Sequence, residues 1–398
     1  MLITISLHSV PDFIQLILLL YFLFSALYFL VFAIAGNFSY RKHFPKASKL
    51  NKIAVLIPAY REDAVILHTV RHALKLNYPG DLYDVIIAAD HLQPETLQQL
   101  SETQAIVVEL NLNQSSKAKA LTETMQHLKG NHYDIAIVLD ADNQTEPDFL
   151  LKINDAFQSG CRVIQAHRVA KNMNTNFAVL DAISEEVNNH LFRKAHRILG
   201  LPAILIGSGM AFPWKLFQQL ISTAKTSFED KEIEFMLLEN GYDIDYLEDA
   251  YVYDEKVQNH QAFGRQRTRW IYSQIYFFRL YFMKSFPAFF KKNKRGLAFR
   301  SFSTALPPRV ILLAVPFLMF ILNLFFPTSL WLSLWGTTFL ASLLTILLST
   351  PKKFYNIQTI KALISLPLAF ILMLKAIIFS GKAKKGFLHT GHTGAGMD

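Results

Sequence analysis

Two long stretches without charged residues constrain the fold of this chain more than any other feature of its sequence. The first lies between Asp12 and Arg41, and the second runs from Val310 to Pro351. An α-helix rises about 1.5 Å per residue, and the hydrocarbon core of a bilayer is about 30 Å thick. The first stretch is therefore long enough to cross a membrane once. The second, at about 63 Å of helix, is long enough to cross it twice.

The placement of basic residues predicts the orientation of these segments. No lysine or arginine precedes Asp12, which disfavours a secretory signal peptide, whereas Arg41, Lys42, Lys46, Lys49 and Lys52 follow the first stretch. Lysines and arginines also flank the second stretch on both sides, and Pro327 supplies a turn within it. Because cytoplasmic loops are enriched in these residues, we expect a plasma (inner) membrane protein with its N-terminus outside. Everything from about residue 36 except the hairpin is then cytoplasmic.

A third apolar segment, residues 361–381, carries two lysines. Lys361 and Lys375 bracket 13 uncharged residues, about 20 Å of helix, which is too short to span a bilayer. A longer span would bury Lys375, at a cost of about 2.5–3.5 kcal/mol. We therefore predict a helix along the cytoplasmic membrane face, with a third span as the alternative.

The overall composition supports a membrane protein over a nucleic-acid-binding one. Apolar residues make up 52% of the 398 residues and charged ones only 18%. The net charge of +9 comes from basic residues that cluster beside the apolar stretches, which indicates an anionic bilayer surface and no nucleic acid. Cys161 is the only cysteine, so an intrachain disulfide is excluded.

Residues 50–260 alternate short apolar runs with helix-like segments. The runs "KIAVLIPAY", "DVIIAAD", "AIVVEL" and "DIAIVLDAD" predict buried parallel strands, and "PETLQQLSET" and "SKAKALTETMQHLK" predict helices. This alternation indicates an α/β domain with a mostly parallel sheet. Ligands of such sheets bind beyond the carboxyl ends of the strands, so the polar residues that follow each strand are candidate site residues.

Two short motifs suggest a bound diphosphate and a flat group that stacks on an aromatic ring. Asp140 and Asp142 directly follow the fourth predicted strand, where Mg²⁺ or Mn²⁺ could bind them together with phosphate oxygens; the alternative is an ordinary turn that caps the next helix. "QRTRW" (266–270) combines guanidinium groups, which bind anions, with an indole, on which a flat face can stack.

The motifs "IPAYRED", "SKAKAL", "LDAD", "FED" and "QRTRW", in this order between apolar stretches, resemble those of membrane-embedded family 2 glycosyltransferases. The likeness to processive synthases of cellulose, chitin, hyaluronan and poly-N-acetylglucosamine covers about residues 50–300. It implies a GT-A-type α/β domain with transmembrane helices at both ends and amphipathic helices at the interface. The implied parts are an N-terminal span (1–36), a glycosyltransferase domain (37–260), interface helices (261–305), a transmembrane hairpin (306–350), and an interfacial helix with a tail (351–398).

The same resemblance implies a role for each motif residue. Asp230 is the implied catalytic base, and Trp270 the platform for the acceptor sugar. Asp140 and Asp142 are the implied metal ligands. The residues implied to bind the nucleotide sugar are Tyr60, Glu62, Asp90, Lys117, Asp140, Gln266 and Arg269. Arg61, Thr122 and Phe228 depart from the family pattern without removing an acid or base.

The implied function is inverting, metal-dependent transfer of a sugar from a UDP-sugar to a growing polysaccharide. Single transfer to a lipid acceptor is an alternative. A nucleotide-binding transporter or scaffold is disfavoured because transporters place ionisable residues inside their membrane helices, and both long stretches lack them. Three spans would form a thin wall for a glycan, which suggests a homo-oligomer or an export partner.

Three further expectations concern other segments of the chain. Glu248 or Asp249 is the second choice for the base. "GSGMAF" (207–212) is predicted to follow a strand and border the acceptor pocket, or else to be an ordinary tight loop. The tail 386–394 resembles the gating loop of cellulose synthases, with Phe387, Thr390 and His392 in register; a solvated tail is the alternative.

Overall fold

The structure is a computed structural model that describes residues 10–40, 44–325 and 329–379. The predicted turn at Pro327 and the predicted gating loop at 386–394 lie outside the described residues. The strands are β1 Ile53–Tyr60, β2 Tyr83–Asp90, β3 Ile106–Leu110, β4 Ile135–Val138, β5 Gln144–Thr145, β6 Ile164–Ala170, β7 Met210–Pro213 and β8 Asp245–Asp254.

These strands form one mixed sheet in the order β3-β2-β1-β4-β7-β6-β8-β5. The first four in this order pair in parallel, as predicted. β7 runs antiparallel to both β4 and β6, and β6 pairs in parallel with β8 across an irregularity at Ala166 and His167. β1 and β4 are apolar and buried throughout or nearly so, which fits the centre of a sheet covered on both faces.

Helices cover both faces of the sheet and continue into the apolar parts of the chain. They are α1 Val10–Ala35, α2 Ile66–Ala73, α3 Pro94–Ser101, α4 Lys117–His127, α5 Phe149–Gln158, α6 Asn176–Asn188, α7 Ala195–Ile198, α8 Trp214–Thr223, α9 Glu229–Glu239, α10 His260–Phe289, α11 Arg295–Ser303, α12 Arg309–Phe325, α13 Ser329–Ser349, α14 Ile357–Leu363 and α15 Leu366–Phe379. A π-helical segment, Asn189–Lys194, joins α6 to α7.

Side-chain caps explain where the helices next to the site begin. Ser116 accepts a hydrogen bond from the backbone N–H of Lys119 at the start of α4, and Asn259 does the same for Ala262 at the start of α10. Each cap satisfies one of the backbone donors that the first helical turn leaves unpaired. α10 then continues for 30 residues, so "QRTRW" and the aromatic run that follows it belong to one helix.

Within the part of the chain that the structure describes, two helices are long and apolar enough to cross a membrane, α1 over Asp12–Ala35 and α13 over Leu330–Ser349. α12 is shorter, at 17 residues, and contains Pro316. The segment expected to form one helix along the membrane face is instead two helices, α14 and α15, which meet at 49°. Lys361 and Lys375 therefore lie on different helices.

An apolar core joins α1, α12, α13 and α15 to α6 and α7 of the α/β domain. Phe32 of α1 packs against the ring of His196 in α7, with ring centroids 4.9 Å apart. His196 is buried, and its Nδ1 lies 3.0 Å from the carbonyl oxygen of Pro202. Burial, with smaller contributions from the nearby Arg300 and Arg197, lowers the pKa of His196 to about 4 against the opposing effect of the Pro202 carbonyl. The imidazole is therefore neutral in the folded protein at physiological pH.

The lowered pKa of His196 predicts that acid weakens the contact between α1 and the α/β domain. The unfolded chain takes up a proton near pH 6.5, whereas the folded chain does so only near pH 4. Stability should therefore be full above pH 6.5 and fall by up to about 3 kcal/mol as the pH drops toward 4. Thermal unfolding of the detergent-solubilised protein at pH 7 and pH 5 measures the change. His196→Gln should flatten this dependence, and replacement of the exposed His127 by Gln should not.

Candidate active site

A cavity of about 1740 Å³ opens at the carboxyl ends of the central strands. Its wall includes Tyr60 and Asp90, the last residues of β1 and β2, and Asp140, two residues beyond β4. These three strands are parallel neighbours, so their carboxyl ends meet at one edge of the sheet. The position of the cavity is the one predicted for a ligand of a parallel α/β sheet.

The cavity brings together nine of the ten residues singled out from the sequence. They come from six separate segments of the chain, and Asp142 is the one that does not line the cavity. The nine are Tyr60, Glu62, Asp90, Lys117, Asp140, Asp230, Gln266, Arg269 and Trp270.

Asp90 presents a buried carboxylate with unused hydrogen-bonding capacity. Its Oδ1 lies 2.7 Å from Nδ1 of His91 and accepts a hydrogen bond from the backbone N–H of Leu112 at 3.2 Å. Its Oδ2 is also buried but makes no hydrogen bond to any residue that the structure describes. A buried oxygen of this kind needs a donor, and the N–H of a nucleobase would supply one.

Tyr60, Arg61 and His91 form the rim next to Asp90. The rings of Tyr60 and His91 meet edge to face at 5.6 Å, and the Arg61 guanidinium lies 5.2 Å from the Tyr60 ring centre. Arg61 and His91 each adopt a positive φ, 54° and 56°. A positive φ is uncommon in residues other than glycine, and both residues directly follow a strand end. The sequence analysis did not identify His91.

Lys117, at the first position of α4, lies between acidic groups. Its ammonium contacts the Asp140 carboxylate and donates a hydrogen bond to the Gly207 carbonyl oxygen at 2.6 Å. Burial alone would lower the pKa of Lys117, but Asp140 and Glu229 more than offset it, so the pKa is raised. The ammonium is thus positively charged at neutral pH and can bind a phosphate.

Asp140 and Asp142 have different surroundings. The Asp140 side chain is 31% exposed and faces the cavity. Asp142 is 1% exposed, and its carboxylate accepts hydrogen bonds from the backbone N–H of Glu255 at 2.8 Å and from Nδ2 of Asn143 at 3.1 Å. Among the described residues, no group of three or more histidine, cysteine or acidic side chains is arranged to hold a metal ion.

A divalent cation still fits this site through Asp140. Mg²⁺ commonly uses one or two carboxylates and completes its shell with substrate phosphates and water. Asp140 supplies one exposed carboxylate beside the cationic Lys117, so a nucleotide diphosphate would have to complete the ligand set. The metal-binding role of Asp142 stays a prediction.

Two adjacent acids, Glu229 and Asp230, occupy the first turn of α9 at the cavity wall. Glu229 is buried, and burial raises its pKa to about 7 against the opposing effect of Lys117. The neighbouring Asp230 contributes to this increase. Asp230 accepts a hydrogen bond from the backbone N–H of Lys231 at 2.8 Å. The sequence analysis assigned no role to Glu229, because nothing local distinguishes it from other acids in a first helical turn.

The alternative acids lie elsewhere. Glu248 and Asp249 belong to β8 and do not line the cavity. Glu248 forms an ion pair with Lys194 at 2.9 Å, and Asp249 is exposed. The geometry therefore favours Asp230 over both.

One face of α10 carries three residues of the "QRTRW" segment. Gln266, Arg269 and Trp270 follow an i, i+3, i+4 spacing, which places them on one face, and all three line the cavity. Burial lowers the pKa of Arg269, although Glu229 and Asp230 counteract it. Trp270 is 37% exposed, so its indole is accessible from the cavity.

Arg267, the second residue of this motif, is a site residue that the sequence analysis missed. Its guanidinium lies 4.1 Å from the Trp270 ring centre and 4.6 Å from that of Phe263. It also forms a buried ion pair with Asp181 of α6. A cation held against the indole face fixes the orientation of Trp270. Only the 86-residue separation between Arg267 and Asp181 hid this pair from sequence inspection.

The prediction for "GSGMAF" is partly wrong. The segment does not follow a strand; residues 201–206 have no regular secondary structure, and Met210–Pro213 is itself β7. Gly207 and Gly209 adopt positive φ values of 83° and 65°, which turn the chain into the antiparallel strand. Gly207 lines the cavity beside Asp230, as expected of a residue near the acceptor pocket.

The far end of the cavity is apolar. It lies among α12, α13 and α15, where its lining includes Leu313, Phe317, Leu343, Ile346, Phe370 and Met373. One continuous space therefore joins the acidic and basic groups at the strand ends to the apolar side chains of α12, α13 and α15.

Comparison with known proteins identifies related sequences. Residues 51–273, more than half of the chain, match the family model described as "Glycosyltransferase like family 2". A probable glycosyltransferase of Bacillus subtilis (strain 168), YdaM, is 25% identical over 298 residues, covering 68% of each chain. The beta-monoglucosyldiacylglycerol synthase of Trichormus variabilis is 26% identical over 250 residues, covering 60% of this chain and 53% of that protein. Probable glucomannan 4-beta-mannosyltransferase 10 of Arabidopsis thaliana is 24% identical over 328 residues, covering 76% and 58%.

The fold is similar to that of a solved enzyme over most of its length. The mannosyltransferase PcManGT from Pyrobaculum calidifontis, solved in complex with GDP-Man and Mn²⁺, superimposes with a TM-score of 0.57 at 15% identity. The match covers 94% of this chain and 99% of that one. The predicted GT-A-type α/β fold is confirmed by this likeness.

Gly207→Ala tests whether this turn positions the site. A left-handed φ costs a non-glycine residue roughly 1–2 kcal/mol, and relief of that strain would move the Gly207 carbonyl away from Lys117. We expect transfer to fall more than stability explains. Gly200→Ala is the matched control, since Gly200 has a φ of 71°, open space around its Cβ position and no place in the cavity wall. Equal loss of transfer in both variants, measured beside their unfolding temperatures, would argue against a positioning role.

Proposed function

The chain belongs to glycosyltransferase family 2, and on this premise we propose that it transfers a sugar from a UDP-sugar to a membrane lipid. The observation that carries the proposal is the continuity of the cavity. At one end are the predicted nucleotide-sugar residues, and at the other are apolar side chains of α12, α13 and α15. An amphiphilic acceptor would place its headgroup at the first and its acyl chains at the second.

A lipid suits the apolar end better than a glycan does. Sugar hydroxyls that enter a wall of leucine, isoleucine and phenylalanine lose their hydrogen bonds to water and gain none from the protein. Acyl chains gain about 0.8 kcal/mol for each buried CH₂ group. The diacylglycerol glucosyltransferase among the relatives is consistent with this choice, although the chain spans only about half the length of that protein.

Extension of a polysaccharide remains the second candidate. The accessible indole of Trp270 at the cavity wall favours it, because an aromatic face can support a sugar ring. A homo-oligomer or an export partner would then supply a polar path across the membrane.

The donor would bind across the strand ends. Oδ2 of Asp90 would accept an N–H from the uracil ring, with Tyr60 and Glu62 beside the base. Lys117, Arg269 and Gln266 would bind the diphosphate, since an ammonium and a planar guanidinium both pair with phosphate oxygens. Asp140, with Asp142 as the second predicted ligand, would hold Mg²⁺ or Mn²⁺, which when bound supplies further positive charge to the diphosphate.

Transfer itself requires one base and one stabilised leaving group. Asp230 would take the proton of the acceptor hydroxyl as its oxygen attacks the anomeric carbon. The bond from that carbon to the diphosphate breaks, the electron pair leaves with the diphosphate, and the configuration inverts. Lys117 and Arg269 neutralise the charge that develops on the leaving oxygen. Arg267 contributes indirectly, because it holds the indole of Trp270 in place.

The membrane arrangement in this proposal follows the sequence-based expectation. α1 and the α12–α13 hairpin cross the plasma membrane, the N-terminus lies outside, and the α/β domain is cytoplasmic. Exposed apolar side chains on α10 and just beyond it, including Met283, Phe286 and Phe290, would lie in the membrane interface. A transporter or scaffold is less consistent, because the acid, base and phosphate-binding groups converge in one cavity of the α/β domain.

Asp230→Asn is expected to reduce the transfer rate by roughly 10²–10⁴-fold, because the acceptor proton loses its base. UDP affinity, measured by calorimetry, should stay near normal. The matched control is Asp249→Asn, the same substitution at an exposed acid outside the cavity. Loss of activity in Asp249→Asn with activity kept in Asp230→Asn would mean that the base has been misassigned.

Metal dependence is expected to be strong and reversible. EDTA should abolish transfer, and Mn²⁺ or Mg²⁺ should restore it, because the diphosphate leaving group needs additional positive charge. Asp140→Asn should raise the metal concentration required, while UDP binding without metal changes little. Full turnover in EDTA would contradict this assignment.

The proposed function is tested with the purified full-length protein and a panel of UDP-sugars. Product from a detergent-dispersed lipid extract should partition into organic solvent and carry a single added sugar by mass spectrometry. A water-soluble polymer made without lipid acceptor would instead support the polysaccharide candidate. Membranes that carry the Asp230→Asn variant provide the background.

A further inference from the structure

The part of the cavity that joins Trp270 to α12 contains more positive than negative groups. Five cations line it: Arg168, Arg193, Lys256, Arg267 and Arg309. Four carboxylates of the same wall lie among them: Asp181, Glu185, Asp254 and Glu255. We call these nine residues the junction cluster. The nearby Glu186 is matched by Lys353 at 2.7 Å and does not alter this balance.

Asp181, Glu185 and Asp254 already form ion pairs with cations of the junction cluster. Glu185 alone faces three cations, Arg168 at 2.8 Å, Arg193 at 3.3 Å and Lys256 at 3.6 Å. Burial would raise the pKa of Glu185, but these cations hold it well below its ordinary value. Glu185 is therefore negatively charged, and the three cations already balance that charge. Asp254 pairs with Lys256 at 2.7 Å, and Asp181 pairs with Arg267. Nε of Arg168 and Nε of Arg267 are buried and make no hydrogen bond to any described residue.

Arg309 has neutral partners only. Its guanidinium donates to Oδ1 of Asn188 at 2.6 Å and to the hydroxyl and carbonyl oxygens of Ser184 at 3.2 and 3.3 Å. Within residues 10–40, 44–325 and 329–379, no carboxylate forms an ion pair with it. Its charged neighbours include two further arginines, Arg193 and Arg267, and one shared acid, Glu185. Arg309 is also the first residue of α12, where the apolar end of the cavity begins.

An unpaired guanidinium among other cations is unfavourable in a partly desolvated wall unless an anion neutralises it. The planar fork of arginine matches two oxygens of a phosphate group. With five cations against four carboxylates, the junction cluster has an excess of one positive charge. A phosphate ester would satisfy both the charge and the geometry.

We propose that the junction cluster binds the phosphate of an anionic lipid acceptor, with Arg309 as its main contact. The acyl chains lie among α12, α13 and α15, and a headgroup hydroxyl extends toward Trp270, which Arg267 contacts. The inference rests on the proposed function and narrows its acceptor class to lipids that carry both a phosphate and a hydroxyl. None of the charged neighbours of Arg309 is among the residues predicted to bind the donor.

The test compares two lipids with the same acyl chains on the purified full-length protein in a neutral detergent. Dioleoylphosphatidylglycerol has a phosphate and headgroup hydroxyls, whereas dioleoylglycerol has a hydroxyl only. We expect the phospholipid to bind at least about tenfold more tightly, as measured by native mass spectrometry. Arg309→Gln should weaken phospholipid binding by about tenfold to a hundredfold, leaving dioleoylglycerol and UDP affinities unchanged. Arg295→Gln, which removes one positive charge from an exposed site outside the cavity, is the matched control.

Two further measurements distinguish a lipid phosphate from free phosphate and control for misfolding of the Arg309→Gln variant. Millimolar inorganic phosphate should not displace the phospholipid, because it lacks the acyl chains; displacement would indicate a site for free phosphate. Arg309→Lys keeps the charge without the fork and should lose less affinity than Arg309→Gln. Equal binding of the two lipids to the wild type, which needs no variant, would overturn the proposal. A matching loss of UDP affinity in Arg309→Gln would also overturn it, by assigning the cluster to the donor.

Transfer measured in the same preparations separates this inference from the proposed function. If sugar reaches dioleoylglycerol as readily as the phospholipid, and Arg309→Gln does not change that ratio, the lipid transferase stands and the phosphate site is rejected. If the phospholipid binds through Arg309 but sugar enters only a water-soluble polymer, the phosphate site stands as a lipid site and the proposed function fails.

Discussion

The whole arrangement depends on the packing of one helix, α10, against both the α/β domain and the apolar C-terminal helices. Its 30 residues carry Gln266, Arg269 and Trp270 near one end and an exposed apolar run near the other. Phe277 and Tyr281 of α10 stack on Phe235 of α9, with centroids 5.2 and 4.0 Å apart. Gln274 donates hydrogen bonds to the carbonyl oxygens of Thr304 and Leu306, just before α12. Because a helix is stiff, these contacts fix the position of the candidate site relative to the apolar helices.

Buried charge is the second constraint on this molecule. The cavity wall holds cations and carboxylates in a partly desolvated space, where each needs a partner. Near the strand ends, the Lys117 ammonium and the Asp140 carboxylate form an ion pair, and burial raises the pKa of Glu229 to about 7. Near α12, Arg309 has only neutral partners among the described residues. The same physical requirement therefore explains the acidic end of the cavity and predicts an anion at the other.

Most of the fold and much of the site were predictable from local patterns. Apolar runs of strand length located β1 to β4 within one or two residues, except that β4 ends before "LDAD". Tyr60, Asp90 and Asp140 followed from the rule that parallel strands present their carboxyl ends at one edge. Neither the burial of Asp142 nor the turn through Gly207 and Gly209 could be predicted, because both depend on β7 and on the chain at Glu255 packing against the end of β4.

The sequence by itself determined the α/β domain, its apolar flanks and the residues at the strand ends, because hydrophobic periodicity and charge spacing are local properties. Tertiary structure alone decided the pair of Arg267 and Asp181, the proximity of Glu229 to Lys117, and the joining of the polar site to an apolar cavity. These features need segments about 80 to 110 residues apart to meet. The charge–charge interactions in these features become strong only after packing has excluded water, because charges interact more strongly in a low-dielectric interior than in solution.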